Sequence, residues 1–312
     1  MTDTRPMNAL FAHVDRNQDA FIARLIDYVR RPSISAHGTG IAEVAAFLVE
    51  TLSGLGLETR AVPTAGWPVV VGRYAGAPGA PTVMLYGHYD VQPPEPLELW
   101  KNPPFEPTII DGKIFARGSA DDKGQFYMHV KALEILSKTD SMTTNIKFLI
   151  EGEEEVGSPN LGKFVAAHKD LLKADVILIS DSSMLSMENP SLDTGVRGLS
   201  YIQVEVTGAN RDLHSGTYGG AVANPITILS KMIASCHDEN NHITIPGFYD
   251  DVVIASPEER ALINMAPYDE KEYMDELGVK ELWGEKGYST YERTGIRPTI
   301  EINGIWGGYT GE

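Results

Sequence analysis

Thr82-Val83-Met84-Leu85-Tyr86-Gly87-His88-Tyr89-Asp90 is an apolar run of strand length that ends in an imidazole and a carboxylate. Three further stretches end in the same way. Arg117-Gly118-Ser119-Ala120 leads into Asp121-Asp122-Lys123-Gly124 at the start of a helical pattern, and Phe148-Leu149-Ile150 runs into Glu151-Gly152-Glu153-Glu154-Glu155. Val176-Ile177-Leu178-Ile179-Ser180 ends in Asp181. In an open α/β sheet, ligands bind in the crevice at the carboxyl ends of the strands. If these strands run mostly parallel, their tips converge and crowd several carboxylates around one imidazole. Like charges that close repel unless a cation neutralises them, so one or two divalent metal ions are the economical reading.

The surrounding chain alternates strand and helix patterns, which predicts an α/β sheet with helices on its faces. Phe21, Ile22, Leu25, Ile26 and Val29 recur at helical spacing, and Pro32 stops that helix. Ile41, Val44, Phe47, Leu48 and Leu52 mark a second helix ending near Gly54. Strands are expected at Val69–Tyr74, Thr82–Tyr86, Ile146–Ile150 and Val176–Ser180, and helices around Gln125–Ser137 and Leu161–His168. Asp111-Gly112, between Thr108–Ile110 and Lys113–Phe115, reads as a tight hairpin. Beyond about Gly198 the texture changes. Tyr201–Val206 alternates like a half-exposed strand, Asn224-Pro225 and Ser256-Pro257-Glu258-Glu259 open helices, and Tyr268–Glu276 reads as a solvated acidic helix. The expected division is residues 1–198 and residues 199–312, an α/β domain followed by an α+β unit.

The 312 residues carry 26 Lys+Arg against 43 Asp+Glu, a net charge of −17 with no basic stripe, which argues against nucleic acid as partner. A single cysteine, Cys236, excludes a disulfide framework or a cysteine-based zinc cluster and suits a reducing compartment. Met1–Asp19 lacks an apolar core of signal-peptide length, and no run approaches the roughly 18 apolar residues of a membrane helix. The expectation is a soluble, cytoplasmic protein without a membrane partner.

Taken singly, each motif has an ordinary explanation. His88-x-Asp90 could be a surface turn, Asp121-Asp122 an N-cap, Glu151–Glu155 a solvated loop and Ser180-Asp181 a turn. All four would have to coincide at strand ends. Together, Tyr86–Pro93, Asp111-Gly112-Lys113 with Arg117–Gly124, Glu151–Ser158 and Ile179-Ser180-Asp181 closely resemble the motifs of the dinuclear-zinc metallopeptidases. That family holds cytosolic non-specific dipeptidase, aminoacylase, succinyl-diaminopimelate desuccinylase and carboxypeptidase G. Asp212-Leu213-His214-Ser215-Gly216-Thr217-Tyr218-Gly219-Gly220 is similar to its lid-domain motif, and the wording is nearest the carnosine-dipeptidase-like branch.

The resemblance implies a three-layer α/β catalytic domain with a mixed central sheet, into which an α+β dimerisation lid is inserted. It implies that His88, Asp121, Glu155 and Asp181 bind two Zn2+ ions, with Mn2+ or Co2+ as alternatives, and that Asp121 bridges them. Asp122 could serve equally by spacing alone; the family pattern selects the first of the pair. Asp90 would fix the His88 tautomer, Glu154 would be the general base, and His214 would stabilise the oxyanion from the lid of a partner subunit in a homodimer. The implied reaction is hydrolysis of the amide bond of dipeptides or similar short peptides. An N-acyl-amino-acid deacylase is the alternative within hydrolases, and a non-catalytic interaction module the alternative outside them. Arg197 reads as a structural residue at the junction or a contact for a substrate carboxylate, and His129 and His168 read as structural. Neither His237 nor His242 matches the family's final histidine ligand, so the chain resembles a C-terminally shortened member. With that goes the expectation that this length, alone, holds at most one metal well and hydrolyses poorly beside a full-length relative.

Overall fold

The computed structural model describes residues 5–139, 142–186, 189, 191–193 and 195–309. Met1–Thr4 and Thr310–Glu312, on which parts of the terminal readings fall, lie outside them. The chain forms two compact units, Met1–Ser183 and Met184–Glu312.

The first unit is built on β1 (Glu58–Val62), β2 (Val69–Tyr74), β3 (Thr82–His88), β6 (Asn145–Glu151) and β7 (Val176–Ile179), in the sheet order β1-β2-β6-β3-β7. β1, β2 and β6 pair antiparallel, whereas β6, β3 and β7 run parallel, so the sheet is mixed. Alternate side chains of each strand face opposite ways. Val70, Leu85, Phe148 and Ile150 pack on one face with Tyr28 of α1 (Arg5–Val29), Leu48 and Leu52 of α2 (Ile41–Gly54), and Phe126 and Val130 of α3 (Lys123–Lys138). Val69, Val71, Met84 and Leu149 pack on the other face with Phe164 of α4 (Leu161–Ala167) and Leu172 of α5 (Lys169–Leu172). This is the expected three-layer α/β arrangement. The Asp111-Gly112 turn joins β4 (Thr108–Ile110) to β5 (Lys113–Phe115), both residues at positive φ as a tight hairpin turn requires.

In the second unit the predicted caps are in place. Asn224 caps α7 (Pro225–Ala234), and Ser256 forms a capping box with Glu259 at the start of α8 (Pro257–Ile263). Asp269 caps the acidic helix α9 (Glu270–Leu277). Two short helices, α6 (Ser215–Tyr218) and α10 (Thr290–Gly295), complete the set. Tyr201–Val206 is not a strand here. Its alternation suits a pleated surface, but no neighbouring segment among the described residues pairs with its backbone, and Tyr201 and Ile202 stand about 80% and 82% exposed. Arg197 bonds the carbonyls of Arg293 and Arg297 and the Thr299 hydroxyl, which is the structural one of its two readings. Among the described residues no helix is long and apolar enough to cross a membrane.

Candidate metal centre

The parallel strands bring their carboxyl ends to one rim. The register pairs His88 with Glu151 and Tyr86 with Ile179, so the end of β3, the Glu151–Glu155 segment and Asp181 lie side by side. The start of α3 closes over them, and Gly87 makes that approach possible. A Cβ there would meet the Phe126 ring at 2.6 Å and Asp122 Oδ2 at 2.7 Å. Gly152 serves in the same way beneath the buried Tyr89 ring, which a Cβ would meet at 2.4 Å.

His88 is fully buried. Its Nδ1 lies 3.0 Å from the Asp90 carbonyl oxygen and 3.4 Å from Asp90 Oδ1, both of which can only accept, so Nδ1 carries a proton. Nε2 faces three carboxylates from three different segments: Asp121 Oδ1 at 3.1 Å, Asp181 Oδ2 at 3.6 Å and Glu154 Oε2 at 3.9 Å. One donor atom each from His88, Asp121 and Asp181 lie within 4.8 Å of one another. Asp90, also buried, accepts the Glu154 and Glu155 N–H groups at 3.2 and 3.1 Å, and so orients the imidazole and holds the 3-10 turn Glu154–Val156 together.

Glu155 is placed differently from the trio. Its carboxylate accepts the backbone N–H and side-chain amide of Gln92, at 3.2 and 2.8 Å, and it is not among the carboxylates within 4 Å of the His88 ring. The Asp121/Asp122 alternative divides cleanly. Asp121 reaches Nε2, while Asp122 is 1% exposed and accepts the His88 backbone N–H at 3.1 Å. His214 belongs to the second unit. There its Nδ1 accepts the Gly216 N–H at 3.0 Å and caps α6, with its ring exposed. Sequence reading did not single out the individual role of Glu151, which accepts from the Tyr86 and Ser158 hydroxyls, nor that of Lys123, whose buried ammonium donates to the Arg31 carbonyl. A carboxylate closing a buried apolar strand was the available signal for the first. A lysine at a helix start gives none for the second.

The electrostatics are those of a cage short of positive charge. Burial opposes charging the His88 ring, yet the Asp121 and Asp90 carboxylates outweigh it and push the ring up to about 11. Burial raises Asp122 to about 7 and also raises Glu154 and Asp181, whose acidic neighbours add to the effect. One imidazole nitrogen with carboxylate oxygens around it is a donor set for a borderline or hard divalent cation, so these residues fit the implied metal. Stabilisation from His88 is complete below its ordinary value of 6.5 and is lost as pH rises through about 11. That from Asp122 is complete below 3.8 and lost as pH rises through about 7. Chelator-treated protein is therefore expected to melt at a lower temperature at about pH 9 than at about pH 6. Added Zn2+ should reverse the slope, because metal binding strengthens as its ligands lose protons; scanning calorimetry at both pH values checks this.

The sequence profile of peptidase family M20/M25/M40 matches residues 84–309. Cys-Gly metallodipeptidase dug1 of Schizosaccharomyces pombe is 31% identical over 98% of this chain and 68% of its own length. The human Beta-Ala-His dipeptidase is 31% identical over 97% of this chain and 64% of its own. Among solved structures, the M20 family metallo-carboxypeptidase Sso-CP2 from Sulfolobus solfataricus superposes with a TM-score of 0.79 at 36% identity, covering 94% of this chain and 67% of that one. The chain thus spans about two thirds of the length of these relatives.

Proposed function

Because the chain belongs to peptidase family M20/M25/M40, we propose that it catalyses metal-dependent hydrolysis of the amide bond of dipeptides or similar short peptides. The observation that carries this reading is the convergence on His88 Nε2 of carboxylates from three separate segments. His88, Asp121, Asp181 and Glu155 would hold two divalent cations, zinc in this proposal, with Asp121 as the residue serving both. Bound there, the cations supply Lewis-acid polarisation of the scissile carbonyl and acidify the attacking water.

The chain's own residues do the rest. Asp90 keeps the proton on His88 Nδ1 and so leaves Nε2 free for a ligand. Glu154 takes the proton of the attacking water at its carboxylate and returns it to the leaving amine nitrogen. Burial and its acidic neighbours hold the Glu154 carboxyl above its ordinary range, which suits a group that must both accept and release a proton. His214 would donate to the developing oxyanion from the lid of a partner subunit, which makes the homodimer part of the proposal. Residues 1–198 carry the catalytic centre in this reading, residues 199–312 form the lid, and the protein works in the cytoplasm without nucleic acid or membrane.

The two curated relatives are named dipeptidases, which favours a dipeptide over an N-acyl amino acid as substrate. With Zn2+ or Mn2+ supplied, a panel of unblocked dipeptides should be cleaved, whereas N-acetyl and N-succinyl amino acids should be turned over at least about tenfold more slowly. Preference for the acylated compounds would reassign the protein to deacylation. Cleavage of neither, with metal bound, would remove the hydrolytic reading.

A further inference from the structure

Asp181 is held unlike the other members of the trio. It follows β7, which pairs with β3 on one side only, and the ladder ends at Ile179. Val176, Ile177 and Ile179 are 55–57% exposed, and Leu178 is the residue of β7 that packs against the core. Among the described residues no hydrogen bond to the Asp181 carboxylate accompanies its 3.6 Å approach to His88. What anchors the loop comes from α3. His129 Nε2 is hydrogen-bonded to Ser180 Oγ at 2.6 Å, and Gln125 Oε1 accepts the Ser182 N–H at 3.3 Å. The two anchors grip the residues on either side of Asp181.

Gln125 and His129 are four residues apart and share one face of α3. Asp121 lies immediately before Asp122, the N-cap of the same helix. One element therefore begins beside one carboxylate of the trio and sets the position of another. We infer that His129, assisted by Gln125, is a positioning residue that fixes the Asp181 carboxylate for metal binding through the two residues flanking it. The shorter bond to a side chain makes His129 the principal anchor, with the longer Gln125 contact secondary. Its ring sits partly buried, where burial lowers its basicity and keeps it neutral, so it carries one N–H and one lone pair and can match either orientation of the Ser180 hydroxyl. A partner that orients a ligand from behind commonly changes metal affinity by about 10–100-fold.

This inference rests on the proposed role of Asp181 as a ligand, and the experiment separates the two. Zn2+ is titrated into the metal-free 312-residue protein against a competing chelator, for wild type, His129→Ala, Ser180→Ala, their double variant, His129→Gln and His168→Ala. His129→Ala and Ser180→Ala should each weaken Zn2+ binding about 10–100-fold, and the double variant should be no weaker than the worse single one, since both remove the same bond. Glutamine places an amide nitrogen where Nε2 lies and should bring the affinity back to within about threefold of wild type. His168, whose ring stacks on Phe164 and bonds its carbonyl, is the control, and its loss should leave Zn2+ affinity unchanged. Wild-type affinity in His129→Ala overturns the inference, as does equal weakening in His168→Ala. Should His129→Ala not fold, Ser180→Ala and His129→Gln decide on the same criteria. A wild-type protein that binds no Zn2+ overturns the metal-site reading itself, and this inference with it.

Discussion

Glu154→Gln is expected to lower dipeptide turnover by about 10²–10⁴-fold while leaving the amount of bound metal unchanged. Glutamine keeps the length and shape of the side chain and removes its capacity to take a proton. Glu154 is suited to that test because its backbone is fixed independently of its carboxylate. Its N–H donates to Asp90 Oδ1, and the turn it begins is held by the neighbouring Glu155 N–H on Asp90 Oδ2. The side chain is 38% exposed and its Oε2 lies 3.9 Å from His88 Nε2, near enough to the centre to reach a water there yet farther than Asp121 or Asp181. A proton-transfer role and a ligand role thus separate by measurement: steady-state rates fall in both cases, but metal content falls only if Glu154 is a ligand. Loss of metal together with activity would transfer Glu154 to the ligand set and leave the base unassigned.

The legible part of this molecule is the part governed by short-range rules. Short continuous apolar runs located β2, β3, β6 and β7, and the polar residue at or just past the end of each of the last three marked the rim where chemistry collects. Asp111-Gly112, Asn224 and Ser256 announced their turn and caps because each satisfies a local backbone requirement without tertiary help. The strand β1 escaped notice because Glu58-Thr59-Arg60-Ala61-Val62 is an edge strand with two charged residues, and edge strands need little apolar patterning. The reverse failure occurred at Tyr201–Val206, where patterning alone could not supply a pairing partner.

At the site, residue types were legible and their division of labour was not. Asp121 and Asp122 are adjacent and chemically identical, so spacing alone left them open; the family pattern selected the first, and the direction each carboxylate takes separates them in space. The anchoring of Asp181 was hidden for a related reason. Gln125, His129 and Ser182 belong to no motif, and their meeting with Ser180 and its neighbour depends on how far α3 stands from β7, where Phe126 and Phe148 pack between helix and sheet.

The second large effect contrasts the two aspartates. A ligand that binds the folded state stabilises it by mass action, about 4 kcal/mol at a free concentration a thousandfold above its dissociation constant. Wild-type protein should therefore melt at a higher temperature when Zn2+ is added. Asp121→Ala should lose that rise almost entirely, and its turnover with it, because Asp121 Oδ1 is the carboxylate oxygen nearest His88 Nε2 and the residue proposed to serve both cations. In the absence of metal the same variant should melt somewhat below wild type at acid pH, because the Asp121 carboxylate is one of the groups that raise the His88 ring, an effect screened by the 61% exposure of its side chain. Asp122→Ala should behave in the opposite way. Its Oδ2 is buried against the His88 backbone N–H, so truncation leaves that donor unpaired and costs about 1–3 kcal/mol of stability with or without metal. Provided the variant still folds, its temperature rise on adding Zn2+ should persist, because the carboxylate that faces the imidazole is intact. Equal loss of the Zn2+ response in both variants would mean that the adjacent carboxylates act as one unit, and the assignment of Asp121 as the shared ligand would fall.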